Sequence, residues 1–385
     1  MQVAPEAEKN MRTLILITAL IPAAFAARFG TVEQLPTDQR IAACQKAIAE
    51  NPKDASKLDD LASAYLQKMR ETTDFSYVDR ADKLVQQSLK LQPGHFGGEL
   101  LHVEIEMNRH HFQTVVTLTG ALTKSTADDV RPWALMGDAL MEIGDYDRAA
   151  TAYEQMLKLR PGLTSYNRVA WYRFVTGDPE GAISAMRQAV HAARATPENL
   201  AWCLVDLGNL YFKTGRLEDA EVEYKAALQV FPHYHPGFAG LGRVQAARHR
   251  TAEAIANYAR AEAIVPMPEY AGALRDLYLE DGNAAESKKQ EQLLDVVDQL
   301  AKANFENTDR TLALVFADEG RHLDRALELA QNELAFRQDV YTYDALAWVL
   351  FKNGKVEQAR EAMKKAIAWK TPEPSFARHA KAMGM

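Results

Sequence analysis

The residues of this sequence best suited to metal binding or proton transfer form two histidine clusters, His110-His111 and His233-Tyr234-His235. Neither cluster has a third Asp, Glu or Cys at a spacing typical of metal ligands, and we predict that both lie in exposed turns. The sequence has no Gly-rich phosphate loop, no His-Glu-x-x-His motif, no Cys-x-x-Cys pair and no Gly-x-Ser-x-Gly motif. We therefore predict no catalytic residue, no cofactor and no metal site.

The composition argues against nucleic acid as a partner. The chain has 385 residues, with 45 Lys and Arg against 52 Asp and Glu, and its formal net charge is -7. Its basic residues are scattered instead of clustered in a stripe, which disfavours binding to a phosphate backbone. The two cysteines, Cys44 and Cys203, are far apart in the sequence and are predicted to be small packing residues.

The elements that position these residues follow a repeating pattern. Two segments 34 residues apart carry the same four residue types at the same spacing: Ala220, Tyr224, Ala227 and Pro232 in the first, and Ala254, Tyr258, Ala261 and Pro266 in the second. A period of 34 residues is typical of a helix-turn-helix unit that buries its apolar face only by stacking on other copies. The sequence predicts an all-α solenoid, an open-ended stack in which each hairpin contacts its neighbours.

The pattern resembles the tetratricopeptide repeat family. One repeat shows it most completely, with Trp133, Met136, Gly137, Leu140, Ala149, Tyr153, Met156 and Pro161. The small residues allow the two helices of a hairpin to approach closely, and the large aromatic fills the space toward the next repeat. The resemblance implies a right-handed superhelix in which the first helix of each repeat, helix A, lines a concave groove. It also implies a protein that binds other proteins or peptides and is not an enzyme.

The quality of the match divides the chain into regions. They are a signal peptide over 1–26, degenerate repeats over 35–129, regular repeats over 130–266, an irregular stretched repeat over 267–306, and C-terminal repeats with a capping helix over 307–385. A helical insertion domain is the competing interpretation of the irregular region. Two local irregularities are also expected. One is an inserted loop over 71–76, and the other is a longer link between repeats around Thr196, Pro197 and Glu198.

The resemblance also places particular side chains in the groove. By register, the inward-facing positions of helix A are Asn167, Arg168, Trp171, Phe174, Trp202, Asp206, Asn209, Phe212, Arg243, Arg310, Tyr341, Asp344 and Trp348. Aromatic side chains would supply apolar anchors for a peptide, and Asn side chains would bond its backbone. Packing between repeats is the alternative role for Trp171 and Trp202.

The N-terminus predicts export. Arg12 precedes an apolar run from Leu14 to Ile21, and the small-residue sequence Ala24-Phe25-Ala26 fits a signal peptide cleaved after Ala26. The run is short for a membrane span, although an uncleaved anchor is the alternative, and the start codon is either Met1 or Met11. The leading hypothesis is an exported, periplasmic or secreted, non-enzymatic scaffold of the bacterial cell envelope with an unidentified protein or peptide partner. The alternative is a regulatory sensor that binds a small peptide or ligand in the groove.

Overall fold

The computed structural model describes residues 35–72, 74–193, 197–303 and 310–385, so the predicted signal peptide lies outside the described residues. Within these ranges the chain forms twenty α-helices and no strand, and it divides into two compact units, 1–109 and 110–385. Unit 1 contains α1 (Thr37–Glu50), α2 (Ala55–Thr72), α3 (Ser76–Leu91) and α4 (Phe96–Asn108). Unit 2 contains α5 (Phe112–Ser125), α6 (Val130–Glu142), α7 (Tyr146–Leu159), α8 (Leu163–Val175), α9 (Pro179–Ala192), α10 (Pro197–Lys213), α11 (Leu217–Val230), α12 (His235–Ala247), α13 (Thr251–Ile264), α14 (Pro268–Glu280), α15 (Ala284–Ala303), α16 (Arg310–Glu319), α17 (Leu323–Phe336), α18 (Val340–Lys352), α19 (Val356–Ala366) and α20 (Pro374–Ala382).

The helices of unit 2 pack as successive hairpins. The pairs α6/α7, α8/α9, α10/α11, α12/α13, α14/α15, α16/α17 and α18/α19 each share an extended interface, and each pair packs on the next. The predicted fold class, an all-α solenoid of stacked helix-turn-helix repeats, is confirmed. Unit 1 has the same organisation, with α2 paired to α3.

Glycine explains both the turns and the close packing. Gly144 and Gly215 follow helix A of their repeats with φ of +75° and +79°, a left-handed conformation that costs other residues more. Gly208 and Gly240 lie on either side of the Tyr224 ring, and a Cβ atom on them would come within 2.7 Å and 2.5 Å of it. The ring is fully buried because neither flanking residue has a side chain.

Two predicted irregularities are wrong in detail. The inserted loop expected over 71–76 is partly helical, because α2 runs to Thr72 and α3 begins at Ser76. The long link near Pro197 is instead an extra turn of helix, since Pro197 is the first residue of the 17-residue α10. Proline is well suited to that position because the first helical turn leaves its N–H groups unbonded in any case.

In the irregular region, α14 and the 20-residue α15 pack against each other as a hairpin. Leu294 of α15 is fully buried in the same core as Phe316 and Leu329 of the next repeat.

Unit 2 is not an open-ended stack, contrary to the sequence-based expectation. The turn between α6 and α7 contacts the segment before α18, some 195 residues later: the Gln338 N–H donates to the Glu142 carbonyl at 2.8 Å, and Arg337 Nε pairs with the Glu142 carboxylate at 2.6 Å. The Val340 N–H donates to the buried Tyr146 hydroxyl at 3.0 Å. Two acceptors beside the turn between α6 and α7, the Glu142 carbonyl and the Tyr146 hydroxyl, thus bond backbone N–H groups of a repeat far along the chain.

Candidate functional site

Tyr153, Asp138 and Arg168 form a chain of hydrogen bonds, here called a polar ladder, that links α6, α7 and α8. The Tyr153 ring packs against Gly137, which has no Cβ to obstruct it, and the Tyr153 hydroxyl donates to Asp138 Oδ1 at 2.9 Å. Asp138 also receives two parallel hydrogen bonds from Arg168 of the next repeat, Nε to Oδ1 and Nη2 to Oδ2, each 2.8 Å long. The charge of Arg168 is therefore balanced by a bidentate carboxylate.

A similar ladder recurs in the following repeats, with a different acceptor and with its arginine at another position of helix A. The Tyr224 hydroxyl donates to Asn209 Oδ1 at 2.9 Å, and Arg243 Nη2 donates to the same oxygen at 2.5 Å. Here a neutral amide stands in the place that Asp138 takes in the first ladder. Among the described residues, Arg243 has no ion-pair partner, whereas Arg168 has one.

Six predicted groove residues come together around one cavity of about 330 Å³, which we call the tryptophan cavity. Its lining includes Asn167, Arg168, Trp171, Trp202, Asp206 and Asn209. Trp171 and Trp202 are 42% and 39% exposed, so part of each ring is accessible. Part of each ring faces the cavity, and Trp171 also stacks on Phe174.

The asparagines of the groove differ in their availability. Asn209 is fully used inside the protein, because its Nδ2 donates to Asp206 at 3.2 Å while its Oδ1 accepts from Tyr224 and Arg243. Asn167 Oδ1 is buried and accepts no hydrogen bond from any described residue. A buried acceptor without a partner is costly, so Asn167 is the asparagine suited to bond a ligand N–H.

Arg243 lines a second cavity of about 340 Å³, the arginine cavity, which meets the tryptophan cavity at Asn209. Its walls include Val205, Tyr258, Tyr270 and His235. The guanidinium carbon lies 5.6 Å from the Phe212 ring centroid and 5.9 Å from that of Tyr224. The Glu269 carboxylate, which lines the same cavity, and the Asp206 carboxylate also attract the cation.

A third cavity, of about 320 Å³, is lined by the predicted residues Arg310 and Tyr341 together with Trp171. The rings of Tyr341 and Trp171 are stacked, with centroids 5.4 Å apart and planes inclined by 14°. Arg310 pairs with Asp339 at 3.2 Å. This cavity belongs to the contact between the middle and C-terminal repeats of unit 2.

Three predicted groove residues, Phe174, Asp344 and Trp348, are buried, and a fourth, Phe212, is partly buried. Phe174 is fully buried, with Lys213 Nζ 5.0 Å from its ring centroid, and Phe212 packs partly buried against the core of α10. Asp344 and Trp348 are covered by α20: His379 Nδ1 lies 2.9 Å from Asp344 Oδ1, and its ring stacks on Trp348 at 4.2 Å.

The segment between α19 and α20, residues 367–373, contacts the middle repeats of unit 2 and is called the C-terminal linker. Glu373 pairs with Lys213, which lines that cavity, at 2.8 Å. The Thr371 hydroxyl donates to the Val175 carbonyl at 2.5 Å, and the Trp369 ring packs edge-on against Tyr146 at 5.1 Å.

Burial alters the acidity of one groove carboxyl. Desolvation raises the pKa of Asp206 to about 6, although the Asn209 hydrogen bond and the nearby charges of Lys213 and Arg243 oppose the shift. Burial likewise raises the pKa of Cys203 to about 12, consistent with a packing role for this free and fully buried thiol.

Sequence reasoning missed Asp138, Lys213 and Glu373 in the groove. Asp138 was detectable, because it occupies in its repeat the position that Asn209 and Arg243 occupy in theirs, directly after the Gly of helix A.

His235 was wrongly placed in an exposed turn: it is the first residue of α12, and its Nδ1 lies 2.8 Å from the Tyr270 hydroxyl. His110 is also partly buried, 3.2 Å from Arg337.

Across the described ranges, no group of three or more His, Cys, Asp or Glu side chains is arranged to hold a metal ion. Nor does any helix of that part of the chain have the length and apolar character needed to cross a membrane.

The fold and groove define an α-solenoid whose repeats present a surface for protein–protein interaction. A family model described as tetratricopeptide repeat matches residues 135–199 and 205–266, and a second of the same description matches 340–371. Over these segments the chain consists of tetratricopeptide repeats. A search of curated proteins found no significant match.

Several solved structures are similar to the chain at low identity. The hetero-tetramer Cut9-Hcn1 of APC/C has a TM-score of 0.45 at 14% identity, and the match covers 90% of this chain but only 59% of that one. PilW, a type IV pilus biogenesis factor, has a TM-score of 0.43 at 18% identity, over 57% of this chain and 96% of PilW. MamA has a TM-score of 0.36 at 22% identity, over 43% of this chain and 97% of MamA.

Proposed function

We propose that the chain is a non-enzymatic scaffold that binds a peptide segment of a partner protein in the tryptophan cavity. The observation that carries this proposal is the buried Oδ1 of Asn167, an acceptor without a partner among the described residues, beside two half-exposed tryptophans. An extended peptide supplies what this arrangement lacks, because each residue brings a backbone N–H donor and alternate side chains enter the same cavity. Large rigid aromatics are typical energetic anchors of such interfaces.

In this proposal each of the lining residues has a role. Trp171 and Trp202 supply apolar contact area, and Asn167 Oδ1 accepts a peptide N–H. Arg168 is held by the bidentate pair with Asp138, so its guanidinium adds a rigid polar wall without a free charge. A cavity of about 330 Å³ has room for one large side chain together with the backbone beside it.

Selection from a random library of nine-residue peptides, followed by calorimetry, tests the proposal. Trp171→Ala and Trp202→Ala should each weaken binding of the selected peptides by about 30-fold, the loss typical of an interface anchor. Phe231→Ala is the matched control, because Phe231 is 38% exposed yet lines none of the three cavities. Selected peptides whose affinity is unchanged by both Trp substitutions would refute the proposed site.

We also propose that the chain is exported to the cell envelope, on the strength of the pattern from Arg12 to Ala26. Expression in a bacterium followed by mass spectrometry of the mature protein should give Ala27 as the first residue. Ala26→Glu should block that cleavage, because the processing site requires a small residue. An uncleaved protein in the cytoplasmic fraction would contradict this proposal without touching the peptide site.

A further inference from the structure

Trp202 and Asp206 place an aromatic ring and a carboxylate on one face of α10. They lie four residues apart in this helix, a spacing that brings two side chains together, and both line the tryptophan cavity. Trp171 stacks on Tyr341, whereas the 39% exposed Trp202 makes no stacking or cation–π contact with any other described residue. Trp202 is therefore the tryptophan of the cavity whose ring still lacks an aromatic or cationic partner.

The carboxylate of Asp206 also lacks a close cation. Its Oδ1 accepts one amide hydrogen bond at 3.2 Å, and in the described part of the chain it forms no ion pair. The two cations that line the same cavity have nearer partners of their own. Arg168 pairs with Asp138 at 2.8 Å, and Lys213 pairs with Glu373 at 2.8 Å.

More distant charges do not fully neutralise Asp206. Lys213 and Arg243 attract its carboxylate, but burial outweighs them and raises its pKa to about 6. The carboxylate is therefore ionised at neutral pH, in a state that a further nearby cation would stabilise. The other titratable groups that interact with Asp206 are uncharged at neutral pH, because burial raises the pKa of each to about 12: Cys203, Tyr224 and Tyr234.

We propose that Trp202 and Asp206 bind the positively charged side chain of a Lys or Arg in the peptide that occupies the tryptophan cavity. This inference rests on the proposed peptide-binding function and specifies the class of peptide. The cationic group pairs with the carboxylate, and the methylene groups pack on the indole ring, the aromatic ring that attracts cations most strongly. The protein already holds one of its own ammonium groups in this way. Lys213 Nζ lies 5.8 Å from the Trp171 ring centroid and 2.8 Å from the Glu373 carboxylate.

The peptide library provides the first test. Peptides selected on the wild-type protein at neutral pH should carry Lys or Arg at one fixed position. Selected peptides that depend on Trp171 and Trp202 but show no basic position would overturn this inference and leave the proposed function standing. A library that yields no peptide dependent on those tryptophans would overturn both.

Substitution of Asp206 provides the second test, with one selected basic peptide. Asp206→Asn should weaken binding by about 10- to 100-fold, the range for hydrogen bonds to a charged group. The variant should unfold no more easily than the wild type at neutral pH, because it removes a buried carboxylate, so lost affinity would not reflect misfolding. Asp219→Asn is the matched control, because it removes the same charge from α11, where Asp219 pairs with Arg216 and lines none of the three cavities. Unchanged affinity in Asp206→Asn would overturn the inference.

The pH dependence of binding provides the third test. A bound cation stabilises ionised Asp206 and lowers its pKa, so the affinity of the wild type should rise as the pH rises through about 6 and then level off. Asp206→Asn should show no such rise. A rise that persists in Asp206→Asn would show that another group binds the cation and would overturn the inference.

The peptide itself closes the cycle. Replacing its Lys with norleucine, or its Arg with citrulline, removes the charge while nearly keeping the shape of the side chain. This change should cost as much on the wild type as Asp206→Asn does, and should cost almost nothing on the Asp206→Asn protein. Equal losses on both proteins would show that the cation binds elsewhere and would overturn the inference.

Discussion

Substitution of Gly144 by alanine tests whether the contact between distant repeats stabilises unit 2. Gly144 has φ of +75°, and a Cβ atom there would lie 2.5 Å from the carbonyl oxygen of Gln338. That oxygen belongs to a backbone held in place, because the Gln338 N–H donates to Glu142 at 2.8 Å. The added methyl group must therefore push the two segments apart.

Gly215→Ala is the matched control for this substitution. Gly215 ends helix A of its own repeat with φ of +79°, and nothing lies within 4 Å of its ideal Cβ position. Both variants incur the cost of a left-handed alanine, about 1 to 2 kcal/mol. Gly144→Ala adds steric overlap and the weakened Gln338–Glu142 hydrogen bond, together about 2 to 3 kcal/mol more.

Urea denaturation followed by circular dichroism measures the difference in the free energy of unfolding. We expect Gly144→Ala to lose about 3 to 5 kcal/mol and Gly215→Ala about 1 to 2 kcal/mol. Hydrogen exchange should also show faster exchange of the Gln338 and Val340 amides in Gly144→Ala alone. Equal destabilisation of the two variants, with unchanged exchange at both amides, would refute a stabilising role for the contact.

The unfolding free energy of Asp206→Asn should equal that of the wild type near pH 4 and exceed it by about 2 to 3 kcal/mol above pH 7. A raised carboxyl pKa means that the folded state favours protonated Asp206, so ionisation of this group at higher pH destabilises the wild type alone. The stability attributable to protonated Asp206 is complete below its ordinary pKa near 4 and is lost as the pH rises through about 6, so pH-dependent urea titrations of both proteins check it. Glu373→Gln should cost about 1 to 3 kcal/mol, since it leaves Lys213 partly buried without its carboxylate. The loss should shrink when Lys213→Met is introduced as well, and unfolding free energies of both variants measure this. His379→Ala should cost about 2 to 4 kcal/mol in unfolding free energy by removing the ring stacked on Trp348.

The repeat pattern predicted the helical hairpins because their determinants are local. A left-handed turn favours Gly144, and a tyrosine ring packed between helices favours Gly208, so residue type and spacing carry this information directly. The same register predicts that Trp171 and Trp202 face the groove, and both line the tryptophan cavity. Each of these positions is determined within one repeat and its immediate neighbour.

Other features depend on parts of the chain that share no pattern with the repeats. Trp348 matches a groove position by register, but α20 covers it through His379, and nothing in the repeat spacing indicates where a capping helix will pack. The contact between Glu142 and Arg337 joins residues 195 apart. It results from the curvature accumulated over all the intervening hairpins, which depends on small rotations at every interface and is not encoded in any single motif.

The contact between Glu142 and Arg337 is relevant to peptide binding although neither residue lines the tryptophan cavity. Trp171 lines the tryptophan cavity and stacks on Tyr341, and Tyr341 follows directly after Val340, whose N–H bonds to Tyr146. A displacement of the segment around Val340 therefore removes the surface that orients the Trp171 ring. Gly144→Ala should then weaken the selected peptides by several-fold, although Gly144 contacts none of the cavities, while Gly215→Ala should leave their affinity unchanged. If calorimetry gives identical affinities for the wild type and Gly144→Ala, the ring is oriented within its own repeat, and the contact of the C-terminal repeats contributes to stability alone.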